Sequence, residues 1–436
     1  MSEGTGDLPG TSMGGADRAD RRLRRRYATE RAFRAAGLLA IVFALSSLFA
    51  LVGSIAVDSL GALTLYSVRL DLDLDAAELD PLGDRSPESL ASGNVAAVLR
   101  RGLLKEFPDV TGRSEKRALS DLLSVGAQYD LLEFVKQDPD SLGGRREHDA
   151  LLSDDVDLAL RGELGSDVAA ADRKLSDAQL GWLAALEERG RIEEHWNFRF
   201  LQTGDSRDPE LAGVQGAIRG SFLTLLVTLL VSFPIGAAAA IYLEEFAPRN
   251  WLTDLIEVNI NNLAAVPSIV FGLLGLAVFL NVFGLPRSAP LVGGLVLGLM
   301  TLPTVIIAAR SALSAVPPSI REAALGIGAS PTQAVMHHVV PQALPGILTG
   351  TIIGMARALG ETAPLLMIGM VAFIVDLPQG PTDPSTVLPV QIYLWAEAPE
   401  RAFAARTAAA ILVLLGFLVT MNSVAVFVRR RFETRV

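Results

Sequence analysis

The sequence predicts an all-α polytopic membrane protein with six transmembrane helices and a soluble α+β domain inserted between helices 1 and 2. Three observations predict this fold class. The 436 residues are 50% hydrophobic with a mean hydropathy of +0.38, yet 20% are charged, which indicates a membrane part and a soluble part on one chain. Several uncharged stretches are long enough to cross a bilayer. Charge is also uneven, because residues 58–210 hold 32 acidic and 18 basic side chains.

The first 57 residues predict a cytoplasmic tail followed by a membrane anchor. Residues 1–34 hold eight arginines and show no apolar period, a composition typical of a disordered tail. Residues 35–57 are 23 uncharged residues, enough to cross about 30 Å of hydrocarbon. A cleavable signal peptide would have an apolar core of only about 7–15 residues. We therefore interpret residues 35–57 as a retained transmembrane helix 1.

Residues 58–215 predict one small extracytoplasmic acidic domain. Strict alternation over residues 68–75 is typical of a half-buried strand. Residues 176–179 have the pattern of a capping box that opens an amphipathic helix, and Gly190 would end that helix. Residues 192–200 carry the aromatic and branched side chains of a second strand.

A group of carboxylates in this domain has two interpretations. Asp154, Asp155 and Asp157 could bind a cation, or they could form a solvated acidic face. We favour the solvated face, because acidic residues are common throughout this domain.

Residues 216–428 are predicted to form the transmembrane core of the protein. Four stretches carry no charge and a fifth holds one arginine and one glutamate: residues 221–243, 258–285, 288–309, 407–428 and 341–375. With the anchor they make six spans. An even number puts both arginine-rich ends on one side, and the positive-inside bias assigns that side to the cytoplasm. Residues 429–436 are then a cytoplasmic tail, and Trp251 and Trp395 mark membrane interfaces.

The composition argues against an enzyme. A phosphate-binding loop needs a glycine-rich turn that ends in lysine and Ser or Thr, but the four lysines all lie between residues 105 and 174. His148 and His195 are expected to be isolated, and the adjacent His337 and His338 would point about 100° apart on a helix. The absence of cysteine excludes disulfides and thiolate sites. We predict no catalytic residue, cofactor or metal site.

The loop over residues 310–341 is the most informative segment. Pro317 and Pro318 precede good helix formers, and Pro is favourable at the start of a helix. Glu322-Ala323-Ala324, followed after three residues by Gly328, resembles the EAA loop of permease subunits of binding-protein-dependent ABC importers, a family with the MetI-like fold. The resemblance implies that this loop forms a short coupling helix that docks into a cytoplasmic ATPase, with those four residues making the contact.

A second motif places charges inside a predicted span. Arg357 and Glu361 are four residues apart, so they can pair on one helix face. Arg357 would lie about 21 Å along its helix, where a charge is a functional candidate by default. The alternative is an ion pair that only joins two helices. Arg310, at the inner end of span 4, is either a second candidate for the substrate path or a snorkelling anchor.

The residues around this pair resemble one branch of the importer permeases. Arg-Ala-Leu-Gly-Glu followed by Thr362-Ala-Pro-Leu-Leu is similar to the PstA permeases of phosphate importers, and the similarity extends over residues 211–375. The resemblance implies a PstC-like second permease, two PstB-like ATPase subunits and a PstS-like phosphate-binding protein. We take Arg357, with Glu361 and Thr362, as candidates for the path of phosphate, because a charge inside a span is a functional candidate. Guanidinium forks suit phosphate oxygens.

Three points stay open at this stage. The substrate could be another oxyanion, namely sulfate, molybdate or phosphonate. A membrane receptor is a different class of function, although six spans without a signalling domain argue against it. Asn259, Asn261 and Asn262, at the start of span 3, either line the path or cap a helix.

Overall fold

The computed structural model describes residues 13–162, 174–371 and 373–432. The chain divides into two compact units, one ending at Val57 and the other running from Asp58 to Val436. The predicted boundary between a soluble domain and a permease core, at residue 215, therefore does not separate two compact units. Residues 58–215 are called the soluble part below, and residues 216–432 the permease part.

The first unit contains one long helix. Helix α1 spans Met13–Asp58, so the arginine-rich segment predicted to be disordered is helical from Met13 onward. Ala and Arg are good helix formers, and a helix already formed by the apolar stretch extends without a new nucleation cost. The first 12 residues of the predicted tail lie outside the described residues.

The soluble part contains a three-stranded antiparallel sheet in the order β2-β1-β3. Its strands are β1 (Thr64–Asp73), β2 (Arg145–Leu151) and β3 (Ile192–Trp196). The alternation over residues 68–75 correctly predicted most of β1, because Val68, Leu70 and Leu72 are fully buried on one face. Strand β2 was not predicted. The second predicted strand is shorter than expected, since the chain turns into a 3-10 helix at Phe198–Leu201.

The described residues of the soluble part form eight α-helices besides this sheet: α2 (Leu60–Leu63), α3 (Ala76–Leu79), α4 (Pro87–Ala91), α5 (Val95–Glu106), α6 (Arg113–Ser120), α7 (Val125–Gln137), α8 (Asp154–Leu160) and α9 (Asp177–Glu188). Helix α9 confirms the predicted capping box, with Ser176 and Gln179 bonding each other's backbone N–H. Gly190 follows it with φ of +63°, a left-handed conformation that favours glycine. Leu183 and Leu186 of α9 join the core of the soluble part.

The permease part is helical. Its elements are α10 (Gln215–Ile241), α11 (Trp251–Ala264), α12 (Ser268–Leu274), α13 (Pro290–Ser314), α14 (Pro318–Gly326), α15 (Pro331–Ala334), α16 (Val340–Leu359), α17 (Ala363–Met367), α18 (Leu388–Ala396) and α19 (Phe403–Phe432). Short π-helical turns extend α10 and α12 and join α15 to α16. Within the described residues, five helices are long and apolar enough to span a membrane. One bent helix pair would make a sixth span.

Two predicted spans are not single helices. In place of the stretch over residues 258–285, α11 and α12 meet at an angle of 103°. Pro267 lacks an N–H and restricts Val266 before it, so the helix breaks there. The stretch over residues 341–375 is also interrupted, because α16 ends at Leu359 and Gly360 caps it.

Small residues bring two spanning helices close together. Gly346, Gly350 and Gly354 lie four residues apart on one face of α16, which packs against α13. A Cβ built at Gly350 would lie 2.1 Å from the Cβ of Ala308. A side chain at this position would clash with Ala308, so the site requires glycine. The glycines let the two helix backbones approach closely, as small-residue motifs do in membranes.

Candidate coupling and transport sites

Helix α14, which is predicted to contact an ATPase and is called the coupling helix below, forms where the sequence predicts it. Helix α14 follows Pro317 and presents Glu322 and Ala323 to solvent, while Ala324 is buried against the permease part. Leu325 and Ile327 are also exposed, and Ile327 is 83% exposed. The loop therefore offers one carboxylate and two apolar side chains on an accessible surface, which is chemistry suited to a protein partner.

Gly328 makes the turn that the sequence predicts. Its φ is +93°, a conformation that L-residues with a Cβ adopt only with strain. The next helix, α15, starts at Pro331 with a capping box formed by Ser330 and Gln333. The turn leads through a π-helical segment, which includes His337 and His338, directly into α16.

Arg321 fastens the coupling helix to two spanning helices, a role that the motif alone did not reveal. Its Nη2 lies 2.5 Å from Glu245 Oε1 at the end of α10. Its Nη1 and Nη2 also donate to the carbonyl oxygens of Val316 and Leu313, at 2.7 and 3.0 Å. Glu245 is almost completely buried, so this ion pair is protected from water and rigid. The sequence feature that could have revealed this role of Arg321 is the pair of adjacent acids, Glu244 and Glu245, at the end of a predicted span.

Arg310 is a bridging residue at the inner end of α13. Its Nη2 donates to Glu257 Oε1 at 2.7 Å and its Nε donates to Glu244 Oε2 at 3.3 Å. The guanidinium thus connects α13 with α10 and α11. It is half-buried and has two carboxylate partners, so it differs from a free snorkelling anchor.

The structure brings Arg357 and Glu361 together. Arg357 Nε lies 3.7 Å from Glu361 Oε1, with the arginine side chain 58% and the glutamate 20% exposed. Arg357 is in the last turn of α16, and Glu361 follows the helix end. Thr362 then occupies the position before α17 without a side-chain cap. The guanidinium of Arg357 therefore stays largely exposed, although Glu361 lies beside it.

Close packing holds the segment after this pair. Helix α17 lies against α12, where a Cβ at Gly272 would fall 2.7 Å from Cα of Pro364. Helix α17, which begins two residues after Glu361, thus packs against α12 of the bent pair. Asn259, on α11, donates to the carbonyl of Leu255 at 2.7 Å, so its side chain bonds within its own helix, and Asn250 rather than Asn259 caps that helix.

A buried polar group that the sequence did not predict lies where the soluble part meets α19. We call Asp154, Asp157, Arg161, Glu210 and Arg406 the junction cluster; they line a cavity of about 10 Å³, about the size of one water. Arg406 Nη1 donates to the carbonyl of Ala62 at 2.7 Å. Arg161 pairs with Asp157 at 2.9 Å. The solvated acidic face predicted here is therefore wrong for Asp157, which is buried and ion-paired.

Burial changes the acidity of this cluster. Glu210 is 5% exposed, and desolvation raises the pKa of its carboxyl to about 7 although the Ser124 hydroxyl donates to it. Burial also raises the pKa of Asp154, and the neighbouring charge of Asp155 adds to that effect. Negative charge is costly at both positions.

The structure adds detail at two other residues. Trp395, predicted to mark a membrane interface, is buried within the protein, and its Nε1 donates to Asp205 at 2.9 Å. His195 is not isolated, because its ligand atom lies within 4.8 Å of those of Asp149 and Glu193. Arg69 pairs with both of those acids, at 3.4 and 2.5 Å.

Comparison with known proteins identifies the family. The model described as "Binding-protein-dependent transport system inner membrane component" matches residues 232–433, and a domain of unknown function, DUF3333, matches residues 20–170. The phosphate transport system permease protein PstA 1 of Mycobacterium tuberculosis (strain ATCC 25618 / H37Rv) is 31% identical over 217 residues, which are 50% of this chain and 70% of that protein. The chain belongs to the phosphate ABC transporter permease family. Like its relatives, this permease is an integral membrane protein with several spanning helices.

Further relatives agree with this assignment. The PstA protein of Yersinia pestis is 31% identical over 215 residues, 49% of this permease and 71% of its relative. The protein named "Probable ABC transporter permease protein YqgI" of Bacillus subtilis (strain 168) is 34% identical over 171 residues, 39% of this permease and 58% of its relative. This permease thus spans about three fifths of that relative's length. A solved chain of the MetNI methionine ABC transporter is 18% identical with a TM-score of 0.41, covering 51% of this permease and 98% of that chain.

Proposed function

We propose that this permease is the PstA-type subunit of an ATP-driven phosphate importer. Its partners would be a PstC-like second permease, two PstB-like ATPase subunits and a PstS-like extracytoplasmic phosphate-binding protein. The phosphate permeases among its relatives support the substrate. The exposed guanidinium of Arg357, placed in the last turn of a spanning helix, is the observation that carries the proposal.

The proposed mechanism uses two groups at the ends of one helical segment. Residues 331–359 run as a continuous helix from the turn at Gly328 to Arg357. ATPase closure would move Glu322, Ala323 and Ala324, and Arg321 would pass this motion to α10 through Glu245. The same displacement would shift Arg357 relative to Glu361. Phosphate carries one to two negative charges and would compete with Glu361 for the guanidinium, whose planar fork suits phosphate oxygens.

The proposal also includes a topology. Both termini would lie in the cytoplasm of the cell, with the soluble part outside the inner membrane and residues 310–341 inside. The arginines at residues 429–431 support this orientation, because cytoplasmic ends of spans are rich in Lys and Arg. Arg310 would stabilise the inner ends of α10, α11 and α13 rather than contact phosphate throughout the cycle.

The decisive variant is Arg357→Ala. We expect uptake of radiolabelled phosphate to fall at least tenfold in cells that depend on this permease, because phosphate loses its cation within the membrane. Arg357→Lys keeps the charge but not the planar fork, so it should retain part of the uptake. Arg287→Ala is the control, since Arg287 is an exposed arginine in the loop before α13.

Each variant is also tested for co-purification with the ATPase, which separates transport from assembly. Normal phosphate uptake by the assembled Arg357→Ala complex would refute the role of Arg357. Uptake of sulfate, molybdate or phosphonate by the wild-type complex, with no uptake of phosphate, would refute the substrate.

A further inference from the structure

Three spanning helices enclose an apolar groove that the transport mechanism does not use. Helices α10, α16 and α19 line a cavity of about 470 Å³. Its walls include Phe222 and Leu229 on α10, Ile352 on α16, and Phe417 and Val424 on α19. We call this cavity the α10–α16–α19 groove. It contains no charged side chain among its lining residues.

The hydroxyl groups of the two polar residues that line the groove both donate hydrogen bonds to backbone carbonyls. Thr351 donates to the carbonyl of Ile347 at 3.0 Å, and Thr420 donates to the carbonyl of Gly416 at 2.8 Å. Each hydroxyl is therefore bonded within its own helix. A molecule in the groove would meet only apolar surface, which suits a hydrocarbon chain and not a polar substrate.

One end of the groove is strongly basic. Val428 is the last residue of α19 that lines it, and Arg429, Arg430 and Arg431 follow directly. Arg429 Nη1 donates to Thr349 Oγ1 on α16 at 3.2 Å, so its guanidinium is held between the two helices. Its Nε is buried and has no hydrogen-bond partner. Within the described part of the chain, no carboxylate forms an ion pair with any of the three arginines.

The groove and the arginines together have the polarity of an anionic phospholipid. From Phe417 to Val428 the groove follows α19 for about 16 Å, which is close to half of a hydrocarbon core of about 30 Å. That is the depth of one bilayer leaflet. Basic side chains at the end of a cleft between spanning helices are suited to lipid head groups.

We propose that the α10–α16–α19 groove binds one acyl chain of an anionic phospholipid, whose phosphate lies on Arg429. The guanidinium of Arg429 would donate to a phosphate oxygen, and Arg430 and Arg431 would add attraction from their exposed positions. Charge complementarity selects an anionic head group over a zwitterionic one, while the groove itself only requires a hydrocarbon chain. The lipid would thereby connect α19 to α10 and α16 at the side of the permease where the coupling loop lies.

The experiment uses fluorescence quenching by brominated lipids, because this chain has no cysteine of its own. A single cysteine at Val424, which is 58% exposed at the rim of the groove, carries a fluorophore. Val419→Cys is the matched control, since Val419 is 64% exposed on the same helix but does not line the groove. The complete complex is reconstituted in nanodiscs of phosphatidylcholine with a minor fraction of phosphatidylglycerol. The complex without an introduced cysteine, treated with the same fluorophore, gives the background fluorescence from labelled partner subunits.

We expect brominated phosphatidylglycerol to quench the probe at Val424→Cys at least threefold more than an equal fraction of brominated phosphatidylcholine. The probe at Val419→Cys should show no preference, and Arg429→Gln should remove the preference at Val424→Cys. Mass spectrometry of lipids that remain on the detergent-purified complex gives a second measurement, and Arg429→Gln should lower the retained phosphatidylglycerol at least threefold.

Three results would overturn the proposal. Absence of quenching at Val424→Cys by either lipid would mean that protein covers the groove. Equal quenching by both lipids would mean that the groove is ordinary lipid-facing surface. An unchanged preference and unchanged retained phosphatidylglycerol in Arg429→Gln would mean that Arg429 does not bind the head group.

Discussion

At the scale of single residues, Glu210 lies in an unfavourable environment for its charge. Its Oε1 accepts from the hydroxyl of Ser124, while its Oε2 is buried without a partner. Burial is the main reason that its pKa is raised to about 7, and the charges of Asp154 and Asp208 add to it. The positive groups that face the same cavity are Arg161 and Arg406.

This environment predicts a pH dependence of stability. The folded protein binds the Glu210 proton more strongly than the unfolded chain, whose carboxyl has a pKa near 4.5, so stability falls as pH rises from about 4.5 to 7. The shift corresponds to about 3 kcal/mol. Glu210→Gln removes the ionisation and keeps an oxygen for Ser124. We expect its melting temperature to exceed that of the wild type by roughly 5 °C at pH 8.

The comparison is made by thermal unfolding of the detergent-purified protein at pH 5 and pH 8. At pH 5 the wild-type carboxyl is mostly protonated, so the two proteins should melt within about 1 °C of each other. Glu188→Gln, at the exposed end of α9, serves as the control. An equal gain for Glu210→Gln at both pH values would argue against a buried carboxylate as the cause.

The arginines of the permease part differ in what surrounds them. Arg310 and Arg321 each have carboxylate partners from other helices, so they join elements. Arg357 has one partner four residues away and is mostly exposed. The sequence left Arg310 as either a second candidate for the substrate path or a snorkelling anchor, and its two carboxylate partners now distinguish it from Arg357.

At the scale of elements, the coupling loop depends on one backbone conformation. Gly328 has φ of +93°, and a Cβ added to it would meet no atom within 4 Å. A larger residue would therefore fit in space but strain the backbone by about 1–2 kcal/mol. That strain would change the angle between α14 and α15, and with it the direction of the surface that we propose docks the ATPase.

We expect Gly328→Val to reduce co-purification of the ATPase several-fold. Gly326→Val is the matched control, because Gly326 also has open space at its Cβ and does not have a positive φ. Pull-down of the ATPase with each variant, at equal amounts of permease, gives the measurement. Unchanged recovery with Gly328→Val would show that the turn does not set the docking surface.

At the scale of the whole molecule, the junction cluster connects the soluble part to the last span. Arg406 is 3% exposed in the first turns of α19, and its guanidinium bonds the carbonyl of Ala62 in the soluble part. Asp154, Asp157 and Glu210 approach from the soluble side of the same cavity. This connection explains why residues 58–436 form one compact unit.

Removing Arg406 should destabilise that unit. Arg406→Ala leaves three carboxylates with only Arg161 as a cation, and breaking a buried ionic group typically costs about 3–5 kcal/mol. We expect a lower melting temperature and faster tryptic cleavage within residues 58–215. Arg401→Ala should change neither, because Arg401 is exposed just before α19. Wild-type protease resistance of Arg406→Ala would show that the soluble part is stable without this connection.

Much of this architecture was predictable because its signals are local. Long uncharged stretches predict spanning helices whatever their neighbours, since a backbone in hydrocarbon must satisfy its own hydrogen bonds. Alternation predicted most of β1, and Ser176 with Gln179 predicted the start of α9. Prolines and glycines likewise predicted α14 and the turn at Gly328. The family resemblance also rested on contiguous residues, and the relatives confirm it.

Other features depend on residues that are distant in sequence, so the tertiary structure decided them. The cleft that buries Glu210 is formed by α8, α19 and the 3-10 turn at Pro209–Leu211, and no local pattern reports that burial. Arg310 and Arg321 find their carboxylates 53 to 76 residues away. Composition and periodicity therefore determined which segments form long apolar helices and where the chain turns at Gly328. Only the tertiary structure determined which charged side chains form ion pairs, because an ion pair depends on distance in space and not on separation along the chain.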